Sequence, residues 1–411
     1  MTYIDLNYTP KGDDLICKFY IEPGNGSSIE NSSNDVAAES SIGTWTEIVT
    51  MEPEIAKKLK PRVFEIDKSR NEIRIAYPSE LFEYGNMPQI LSCVAGNVFG
   101  MKSVRNLRLL DIEFPRELVK SFKGPGFGIQ GIRKILRIKE RPLLGTIIKP
   151  KVGLNSEKHA RVAYESWVGG CDIVKDDENL TNQRFNPFRE RVKKTLRMRE
   201  RAEDETGDVK VYMPNITAET TEMIRRAKFV EEVGGRYVMI DIITCGFSAL
   251  QSIRDLDLKI VIHAHRAMHA AFTRNRKHGI SMLTIAKISR LIGVDQLHIG
   301  TAVGKMEGPR NEVISIKDAL IRDFFNIKPV FPVCSGGLHP GLVPELMRIL
   351  GNDIIIQAGG GIHGHPNGTE SGAMAMKQAI DAAMKGISLE QYKDEHKELE
   401  IALRKWAGSG K

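Results

Sequence analysis

The sequence has few cysteines, and their arrangement builds no recognisable site. Among its 411 residues there are five, at Cys17, Cys93, Cys171, Cys245 and Cys334. The number is odd, the positions are scattered and no pair has CxxC spacing, which argues against a disulfide framework and against a zinc cluster. Three of the five lie in apolar, strand-like runs, where a thiol packs as a small core side chain.

Long hydrophobic runs and low-complexity segments are also lacking. No apolar run approaches the roughly 20 residues that a membrane span needs. The opening residues, MTYIDLNYTPKGDD, contain neither the basic nor the apolar region of a signal peptide. With 41% hydrophobic and 27% charged residues, the composition is typical of a folded protein. We therefore predict a cytoplasmic protein that has no membrane partner.

Charge of one sign is in excess, at a formal net charge of +7. A non-catalytic nucleic-acid-binding protein is one interpretation, and binding that weakens steeply with salt would be its mark. However, the basic residues alternate with acidic ones, as in RERVKKTLRMRERAED, which is typical of an exposed helix face with i to i+4 pairs. A second interpretation is a positive cleft that attracts a small anionic substrate. We predict no nucleic-acid partner.

The length exceeds what one hydrophobic core usually serves, so we expect two domains. Residues 1–118 mix strand-like and helical runs and predict a small α+β domain of ferredoxin-like type. Residues 119–411 repeat a unit of apolar strand, polar or glycine-rich loop and amphipathic helix. The eight strands of these units are LLGTIIKP, CDIVKDD, VKVYMPNI, YVMIDIIT, LKIVIHAH, QLHIGTAV, PVFPVCSGG and DIIIQAGGG. Eight such units predict a (β/α)8 TIM barrel, with a doubly wound open sheet as the alternative.

Polar side chains or glycines follow nearly every one of these strands. In chain order they are Lys149 and Lys151; Lys175, Asp177 and Glu178; Asn215; Asp241; His263, His265, Arg266 and His269; His298; Ser335, Gly336 and Gly337; Gly359, Gly360 and Gly361. Unrelated surface turns would not place such groups at every strand end. In a barrel, the carboxyl ends of the strands carry the chemistry.

The cluster after the second strand has the composition of a magnesium site. Asp177 and Glu178 supply hard oxygen ligands. Lys175 cannot ligate a metal as an ammonium ion, but a neutral lysine amine reacts with carbon dioxide to give a carbamate, which is an anionic oxygen ligand. A solvated turn and a lysine that is ion-paired with its acidic neighbours, without a metal, stay open as alternatives. The histidines of His263-Ala-His265 fit zinc as a further alternative.

The glycine-rich segments after the last two strands suit phosphate binding. Backbone amides of Ser335-Gly-Gly and Gly359-Gly-Gly are unobstructed donors, at the position where barrels commonly hold phosphate, although a glycine triplet alone is more often a turn. Arg266 and His298 would serve a second phosphate, so a sugar bisphosphate is the predicted substrate class. The segment GTAVGKMEG, which contains Lys305, has the features of a mobile lid.

The motifs GTIIKPKVGL, GGCDIVKDDEN, HAHRAMHAAFTRNRKHGI, HIGTAVGKMEG, VCSGGLHPG and QAGGGIHGHPNG, in this order, resemble the large subunit of ribulose-bisphosphate carboxylase/oxygenase (RuBisCO). AAESSIGTWTE and GNVFGMKSVRNLRLLDIEFP resemble the N-terminal domain of the same family. The resemblance extends from about residue 37 to residue 370. A short loop between residues 308 and 329 and the wording of the motifs are closer to the archaeal, type III members than to the plant type.

The resemblance implies four catalytic residues, Lys149, Lys175, His265 and Lys305. Lys175 would carry the carbamate, formed with carbon dioxide as activator, and would hold Mg²⁺ together with Asp177 and Glu178. The carbamate would also remove the C3 proton of ribulose 1,5-bisphosphate.

The resemblance also implies a substrate-binding set: Glu39, Thr44, Trp45, Asn97, Lys151, Arg266, His298, Ser335, Gly336, Gly337, Gln357, Gly359 and Gly360. Asn97 would reach the substrate from a neighbouring subunit. The implied active unit is therefore a homodimer or a larger assembly of dimers, with no small subunit.

The implied reaction adds carbon dioxide and water to the bisphosphate through a magnesium-stabilised enediolate, giving two molecules of 3-phosphoglycerate. Oxygen would attack the same enediolate in an oxygenase side reaction. Archaeal members suggest a place in nucleotide (AMP) salvage. The alternative is a relative that stops at enolisation or isomerises another phosphorylated sugar or thiosugar. Such relatives usually lose some of the implied catalytic residues, all of which this sequence keeps.

Three positions depart from the plant-type pattern. Ile147 stands where plant-type members have a hydroxyl residue, and Gln296 and Ile299 flank His298 where they have histidine and serine. We interpret these as subtype differences that affect affinity.

Overall fold

The computed structural model describes residues 1–304 and 309–407. Their strands are β1 Leu15–Pro23, β2 Arg62–Asp67, β3 Glu72–Tyr77, β4 Val104–Glu113, β5 Leu143–Ile147, β6 Ile173–Lys175, β7 Val211–Met213, β8 Tyr237–Asp241, β9 Val261–His265, β10 Gly279–Ile280, β11 Gln296–Gly300, β12 Phe331–Ser335 and β13 Ile355–Gln357.

The α-helices of the described residues are α1 Ile29–Glu39, α2 Pro53–Leu59, α3 Met87–Val94, α4 Arg116–Lys120, α5 Gly128–Leu136, α6 Ser156–Val168, α7 Phe188–Thr206, α8 Thr220–Glu232, α9 Ile242–Asp255, α10 His269–Thr273, α11 Met282–Ile292, α12 Arg310–Ile321, α13 Val343–Leu350, α14 Gly360–His363, α15 Thr369–Lys385, α16 Leu389–Tyr392 and α17 Lys397–Trp406. Short 3-10 helices occur at Ser79–Leu81, Asn97–Gly100, Pro340–Leu342 and Lys393–Glu395. None of the described helices is long and apolar enough to cross a membrane.

The chain divides into two compact units. The first contains Met1–Gly124, Met268–Ile292 and Phe324–Ile327; the second contains Pro125–Ala267, Gly293–Asp323 and the chain from Lys328 onward. The predicted domain boundary between residues 118 and 119 stays a prediction.

The first unit is built on a five-stranded mixed sheet of order β10-β4-β1-β3-β2. β1 pairs antiparallel with β3 and β4, whereas β10 pairs parallel with β4. Along β1 the buried residues alternate, Leu15, Cys17, Phe19 and Ile21, because successive side chains of a strand point to opposite faces. Helix α1 begins after Ser28, whose side chain accepts a hydrogen bond from the amide of Asn31 and caps the helix. The predicted α+β fold is confirmed.

The second unit is an eight-stranded parallel sheet of order β7-β6-β5-β13-β12-β11-β9-β8. A parallel bridge between Asn215 and Met239 joins the region of β7 to β8 and closes the sheet into a barrel. Each of the eight strands coincides with one of the eight predicted apolar runs. The TIM barrel is confirmed, and the open sheet is excluded by this closure.

Helix α5 covers the end of the barrel at which the strands begin. Its residues Ile129, Ile132 and Leu136 are spaced three and four apart, so they share one face of the helix. That face packs against buried residues of the strands, including Leu143 and Phe331. The core therefore continues from the barrel interior into α5, and the opposite end of the strands is left for polar side chains.

Candidate active site

The polar residues predicted from the strand ends come together at the carboxyl ends of the barrel strands. Lys149 and Lys151 follow β5, Asp177 follows β6, and Asp241, His265 and Ser335 close β8, β9 and β12. Parallel neighbours place these ends on one rim of the sheet, which is where barrel enzymes act.

Lys175 is the last residue of β6 and is almost completely buried, with 1% of its surface exposed. Its Nζ donates to the carbonyl oxygen of Asp176 at 2.8 Å and lies 3.9 Å from Glu178 Oε2 and 3.2 Å from Met239 Sδ. Burial lowers the pKa of Lys175, against the opposing effect of Glu178 and the nearby aspartates. The solvated-turn interpretation is therefore wrong. Because its pKa is lowered, the amine of Lys175 loses its proton more readily than the amine of a surface lysine does.

Two further lysines pair with the carboxylates beside Lys175. Lys149 Nζ lies 2.8 Å from Asp177 Oδ2, and Lys151 Nζ lies 3.5 Å from Glu178 Oε1. Burial would raise the pKa of Glu178, but the charges of Lys175, His265 and Lys151 lower it to about 2. Glu178 is thus an anionic oxygen donor.

Asp176 lies between two site residues but faces the other way, because alternate residues of a strand point to opposite sides. Its carboxylate accepts from Arg191 Nε at 3.1 Å, from the Tyr212 hydroxyl at 2.6 Å and from the Asn215 amide at 2.9 Å. His159 Nε2 lies 3.0 Å from the same carboxylate. Burial alone would raise the pKa of Asp176, but Arg191, His159 and Tyr212 hold it well below its usual range. The period-two alternation signals this orientation in the sequence.

A chain of buried side chains runs behind the β9, β11 and β12 ends. Gln296 Oε1 lies 2.8 Å from His263 Nδ1, His263 Nε2 lies 2.9 Å from His298 Nε2, and His298 Nδ1 lies 2.8 Å from Ser335 Oγ. Burial lowers the pKa of His263 to about 3 and that of His298 well below its usual value, with nearby cations contributing. Both rings are therefore neutral. Sequence reasoning offered His263 as a zinc ligand in one alternative and Gln296 as a subtype difference that affects affinity, but it predicted no contact between the two residues.

With its oxygen toward the ring, Gln296 accepts a hydrogen bond from His263 Nδ1–H. His263 Nε2 must then accept from His298 Nε2–H, because a neutral imidazole has one donor and one acceptor. His298 Nδ1 in turn accepts from the hydroxyl of Ser335. The amide of Gln296 thus sets the donor and acceptor pattern as far as Ser335, at the edge of the site.

His265 is held by a separate partner. Its Nδ1 lies 2.9 Å from Asp241 Oδ1, and its Nε2 faces Glu178 Oε2 at 3.9 Å. The two histidines of His263-Ala-His265 therefore have different partners. Among the described residues, no group of three or more His, Cys, Asp or Glu side chains is placed to hold a metal ion. The zinc alternative gains no support from this arrangement.

The glycines after β13 differ in the space beside them. A Cβ on Gly361 would lie 2.0 Å from the Leu338 carbonyl oxygen, and one on Gly359 would lie 3.2 Å from Lys149 Cε. A Cβ on Gly360 would have nothing within 4 Å. Gly361 therefore packs the two glycine-rich loops together, whereas Gly360 faces open space.

Gln357 precedes these glycines at the end of β13. Its side chain is buried and donates from Nε2 to the Thr146 carbonyl oxygen at 2.9 Å. A Cβ on Gly145, its partner on β5, would lie 2.4 Å from Gln357 Oε1. A packing role is thus visible for Gln357, and its predicted contact with substrate stays a prediction.

The C-terminal helix α17 packs on the loops after β12 and β13. Trp406 stacks on His339 with ring centroids 5.7 Å apart and planes inclined by 17°. Lys405 Nζ donates to the carbonyl oxygen of Gly364, and His365 Nε2 lies 3.0 Å from the Glu398 carbonyl oxygen. One helix therefore holds both glycine-rich loops.

Five predicted site residues belong to the first compact unit or lie outside the described residues. Glu39, Thr44, Trp45 and Asn97 belong to the first compact unit, where Asn97 Nδ2 donates to Glu39 Oε1 at 3.3 Å and Trp45 is 92% exposed. Lys305 lies outside the described residues. The roles of all five stay predictions.

Comparison with protein families gives two matches, which together span nearly the whole chain. Residues 2–118 match the N-terminal domain of the ribulose bisphosphate carboxylase large chain, and residues 128–406 match its catalytic domain. The ribulose bisphosphate carboxylase of Methanocaldococcus jannaschii is 57% identical, over 99% of this chain and 100% of that protein. That of Methanosarcina mazei is 54% identical, over 98% of each.

Solved structures show the same likeness. The octameric ribulose-1,5-bisphosphate carboxylase/oxygenase of Pyrococcus horikoshii OT3, in complex with sulfate ion, superposes with a TM-score of 0.96 at 52% identity, covering 98% of this chain and 96% of that one. The dimeric archaeal enzyme of Hyperthermus butylicus superposes with a TM-score of 0.92 at 46% identity, covering 98% of each chain. The family matches, the similar sequences and the similar structures all indicate one family. The chain belongs to the ribulose bisphosphate carboxylase large-chain family of carboxylase enzymes.

Proposed function

We propose that this chain carboxylates ribulose 1,5-bisphosphate, using carbon dioxide and water to form two molecules of 3-phosphoglycerate. The observation that carries the proposal is Lys175, a buried lysine of lowered pKa within 3.9 Å of Glu178 at the end of a barrel strand. A neutral amine in this position can take up carbon dioxide as a carbamate.

The residues present fit a magnesium ion on one condition. Asp177 and Glu178 supply hard oxygen donors of the kind that Mg²⁺ prefers, but two carboxylates leave the set one anion short. A carbamate on Lys175 supplies the third. When bound, the ion would polarise the substrate carbonyl and hydroxyl and so favour loss of the C3 proton.

The lysines and His265 line the reacting end of the substrate in this proposal. The Lys175 carbamate removes the C3 proton. Lys149, which lies 2.8 Å from Asp177, protonates the carbanion left after cleavage, and Lys151 supports it electrostatically. His265, with Lys305, acts around the gaseous substrate and the new carboxylate.

The two phosphates are assigned to two parts of the rim. Arg266, His298 and Ser335 bind one phosphate and the sugar hydroxyls, and the hydrogen bond between His298 and Ser335 orders this part of the site. The amides of Gly336 and Gly337 add donors there. Gly359 and Gly360 bind the other phosphate through backbone amides, which the open space beside Gly360 supports.

Completion of the site from a second chain is also proposed. Thr44 and Trp45 would add to the glycine-bound phosphate, Glu39 would pair with Lys305, and Asn97 would reach the substrate. Glu39, Thr44, Trp45 and Asn97 would come from the N-terminal domain of a neighbouring copy. The active unit is therefore a homodimer or an assembly of dimers without a small subunit. The relatives described as dimeric and octameric support this.

Two finer parts of the proposal rest on the family and on its archaeal members. Oxygen attacks the same enediolate as carbon dioxide, so a slower oxygenase reaction accompanies carboxylation. The bisphosphate is supplied by nucleotide salvage.

The test is incorporation of labelled bicarbonate with ribulose 1,5-bisphosphate and Mg²⁺ under anaerobic conditions. Wild-type protein should place label in acid-stable 3-phosphoglycerate, and Lys175→Met should place none. Lys158→Met, at an exposed position of α6, is the matched control and should retain wild-type activity.

Absence of label with folded, metal-loaded wild-type protein would refute carboxylation. Exchange of the substrate C3 proton with solvent in the same sample would then favour the enolase or isomerase alternative.

A further inference from the structure

A cavity of about 300 Å³ lies at the end of the barrel opposite the candidate active site. Its lining includes Val211 and Tyr237, the first residues of β7 and β8, and the loops that lead into these strands. Its lining residues have no part in the reaction proposed above. Its volume is at the lower end of the roughly 300–1,000 Å³ found for small-molecule sites.

The charged side chains around this cavity are predominantly basic. They are Arg137, Arg199, Lys210 and Arg236, against Glu203 and Asp208. Four cations and two anions leave two positive charges in excess. The apolar side chains of Ile135 and Val209 complete the wall. A small dianion with a compact organic part matches this lining.

Lys210 has more donors than its surroundings use. Its side chain is 1% exposed, and its ion-pair partner is Asp208 Oδ2 at 3.4 Å, on a side chain that is 70% exposed. An ammonium has three donors, and a buried one is unfavourable unless they are satisfied. One long contact to a solvated carboxylate leaves capacity for an anion.

Two buried polar atoms of the lining residues have no hydrogen-bond partner among the described residues, Arg199 Nε and Tyr237 Oη, although Arg199 Nε also lies 3.8 Å from Glu203 Oε2 in an ion pair. The outer nitrogens of Arg199 are held by the Gly234 carbonyl oxygen at 3.3 Å and by Glu200 Oε1 at 3.5 Å, so the guanidinium is fixed in place. Buried polar atoms are rarely left without partners. Lys210, Arg199 and Tyr237 thus have incompletely satisfied polar atoms, and all three residues line one small space.

We propose that this cavity binds a phosphate dianion, either inorganic phosphate or the phosphate of a monoester. A second cavity, of about 440 Å³, shares Ile135, Gly234 and Arg236 with the first, and its lining also includes Lys259 and Glu231. This adjoining space accommodates the organic part of a monoester. Arg137 and Arg236, which are exposed, supply the positive field at the entrance.

The test must separate this site from the phosphate positions of the active site. Equilibrium dialysis of labelled inorganic phosphate is therefore performed on full-length Arg266→Gln/Ser335→Ala/Gly360→Ala protein, which is altered at both proposed phosphate positions of the active site. We expect saturable binding in this background. Adding Arg199→Gln and Lys210→Met should weaken it at least tenfold, whereas Arg199→Gln/Lys210→Met alone should leave carboxylation unchanged.

Two milder variants keep the test decisive if the double substitution does not fold. Tyr237→Phe removes only the unpaired hydroxyl, and Arg236→Glu reverses a charge at an exposed position. Each should weaken phosphate binding, Arg236→Glu about tenfold. Saturable binding that neither variant changes, or no saturable binding in the Arg266→Gln/Ser335→Ala/Gly360→Ala background, would overturn the proposal.

Competition distinguishes the source of the phosphate. Ribose 5-phosphate and a nucleoside monophosphate are each titrated against labelled phosphate in the same background. Displacement at lower concentration than unlabelled phosphate supports a monoester that fills the adjoining cavity. Equal displacement supports a site for inorganic phosphate. Displacement by sodium chloride at equal ionic strength would show charge screening alone and would overturn the site.

Discussion

At the scale of the residue, Lys175 and Asp176 are neighbours in sequence with opposite environments. Lys175 points into the barrel end with a lowered pKa, and Asp176 points outward into contact with Arg191, Tyr212 and His159. The ion pair between Asp176 and Arg191 stabilises the end of β6, from which Lys175 projects. Asp176 is therefore a structural residue within a motif that is proposed to be catalytic.

Asp176→Asn should lower the free energy of unfolding by roughly 3 kcal/mol at pH 7, because it leaves Arg191 buried without its counter-charge. The pKa of Asp176 is lower in the folded protein than the ordinary value of about 3.9. Its stabilising effect is thus complete above that value and is lost as the pH falls below it. The measurement is urea unfolding at pH 7, 5 and 3. The difference in the free energy of unfolding between wild type and Asp176→Asn should become smaller only at pH 3. A constant difference would contradict this assignment.

Gln296 is the second residue whose effect is expected to be indirect. Gln296→Met removes the group that accepts a hydrogen bond from His263. The donor and acceptor roles of His263, His298 and Ser335 are then no longer fixed. We expect the KM for the bisphosphate to rise about tenfold, corresponding to one lost hydrogen bond, with a smaller change in kcat. Gln296→Glu keeps an acceptor and should recover most of the affinity. Equal loss in both variants, or loss of kcat alone, would contradict a positioning role.

At the scale of the element, α14, which follows β13, begins with adjacent glycines that have different surroundings. Gly361→Ala would place a Cβ 2.0 Å from the Leu338 carbonyl oxygen, whereas Gly360→Ala meets nothing within 4 Å. We expect Gly361→Ala to reduce the melting temperature strongly. Gly360→Ala should leave the melting temperature unchanged but raise the KM for the bisphosphate, because its methyl group enters the proposed phosphate space. Wild-type KM in Gly360→Ala would exclude the start of α14 from substrate binding.

The eight barrel strands could be predicted because strands covered on both faces are continuously apolar, as in YVMID of β8. Their polar ends then located Lys149, Lys175, His265 and Ser335. The pairing of β10 with β4 could not be predicted, since a two-residue strand has too little pattern and its partner is distant in sequence. The hydrogen bond from His263 to Gln296 could not be predicted either, because the two residues are distant in sequence.

At the scale of the whole molecule, the proposed exchange of residues between chains can be tested by mixing inactive proteins. Asn97→Ala and Lys175→Met should each abolish or greatly reduce carboxylation. In a mixed dimer one site would contain both substitutions and the other neither. Random reassociation should therefore restore about a quarter of wild-type activity, because half of the dimers are mixed and half of their sites are intact. No recovery, with mixed dimers shown by mass spectrometry, would mean that each chain completes its own site.

The contacts of α17 bear on how the protein is handled. Trp406 and Lys405 touch His339 and Gly364, in the two loops proposed to bind phosphate. A purification tag, reporter or surface tether attached beyond this helix would start beside those loops and could pull the helix away from them. Immobilisation through an exposed lysine such as Lys158, on a crossover helix, would avoid that disturbance.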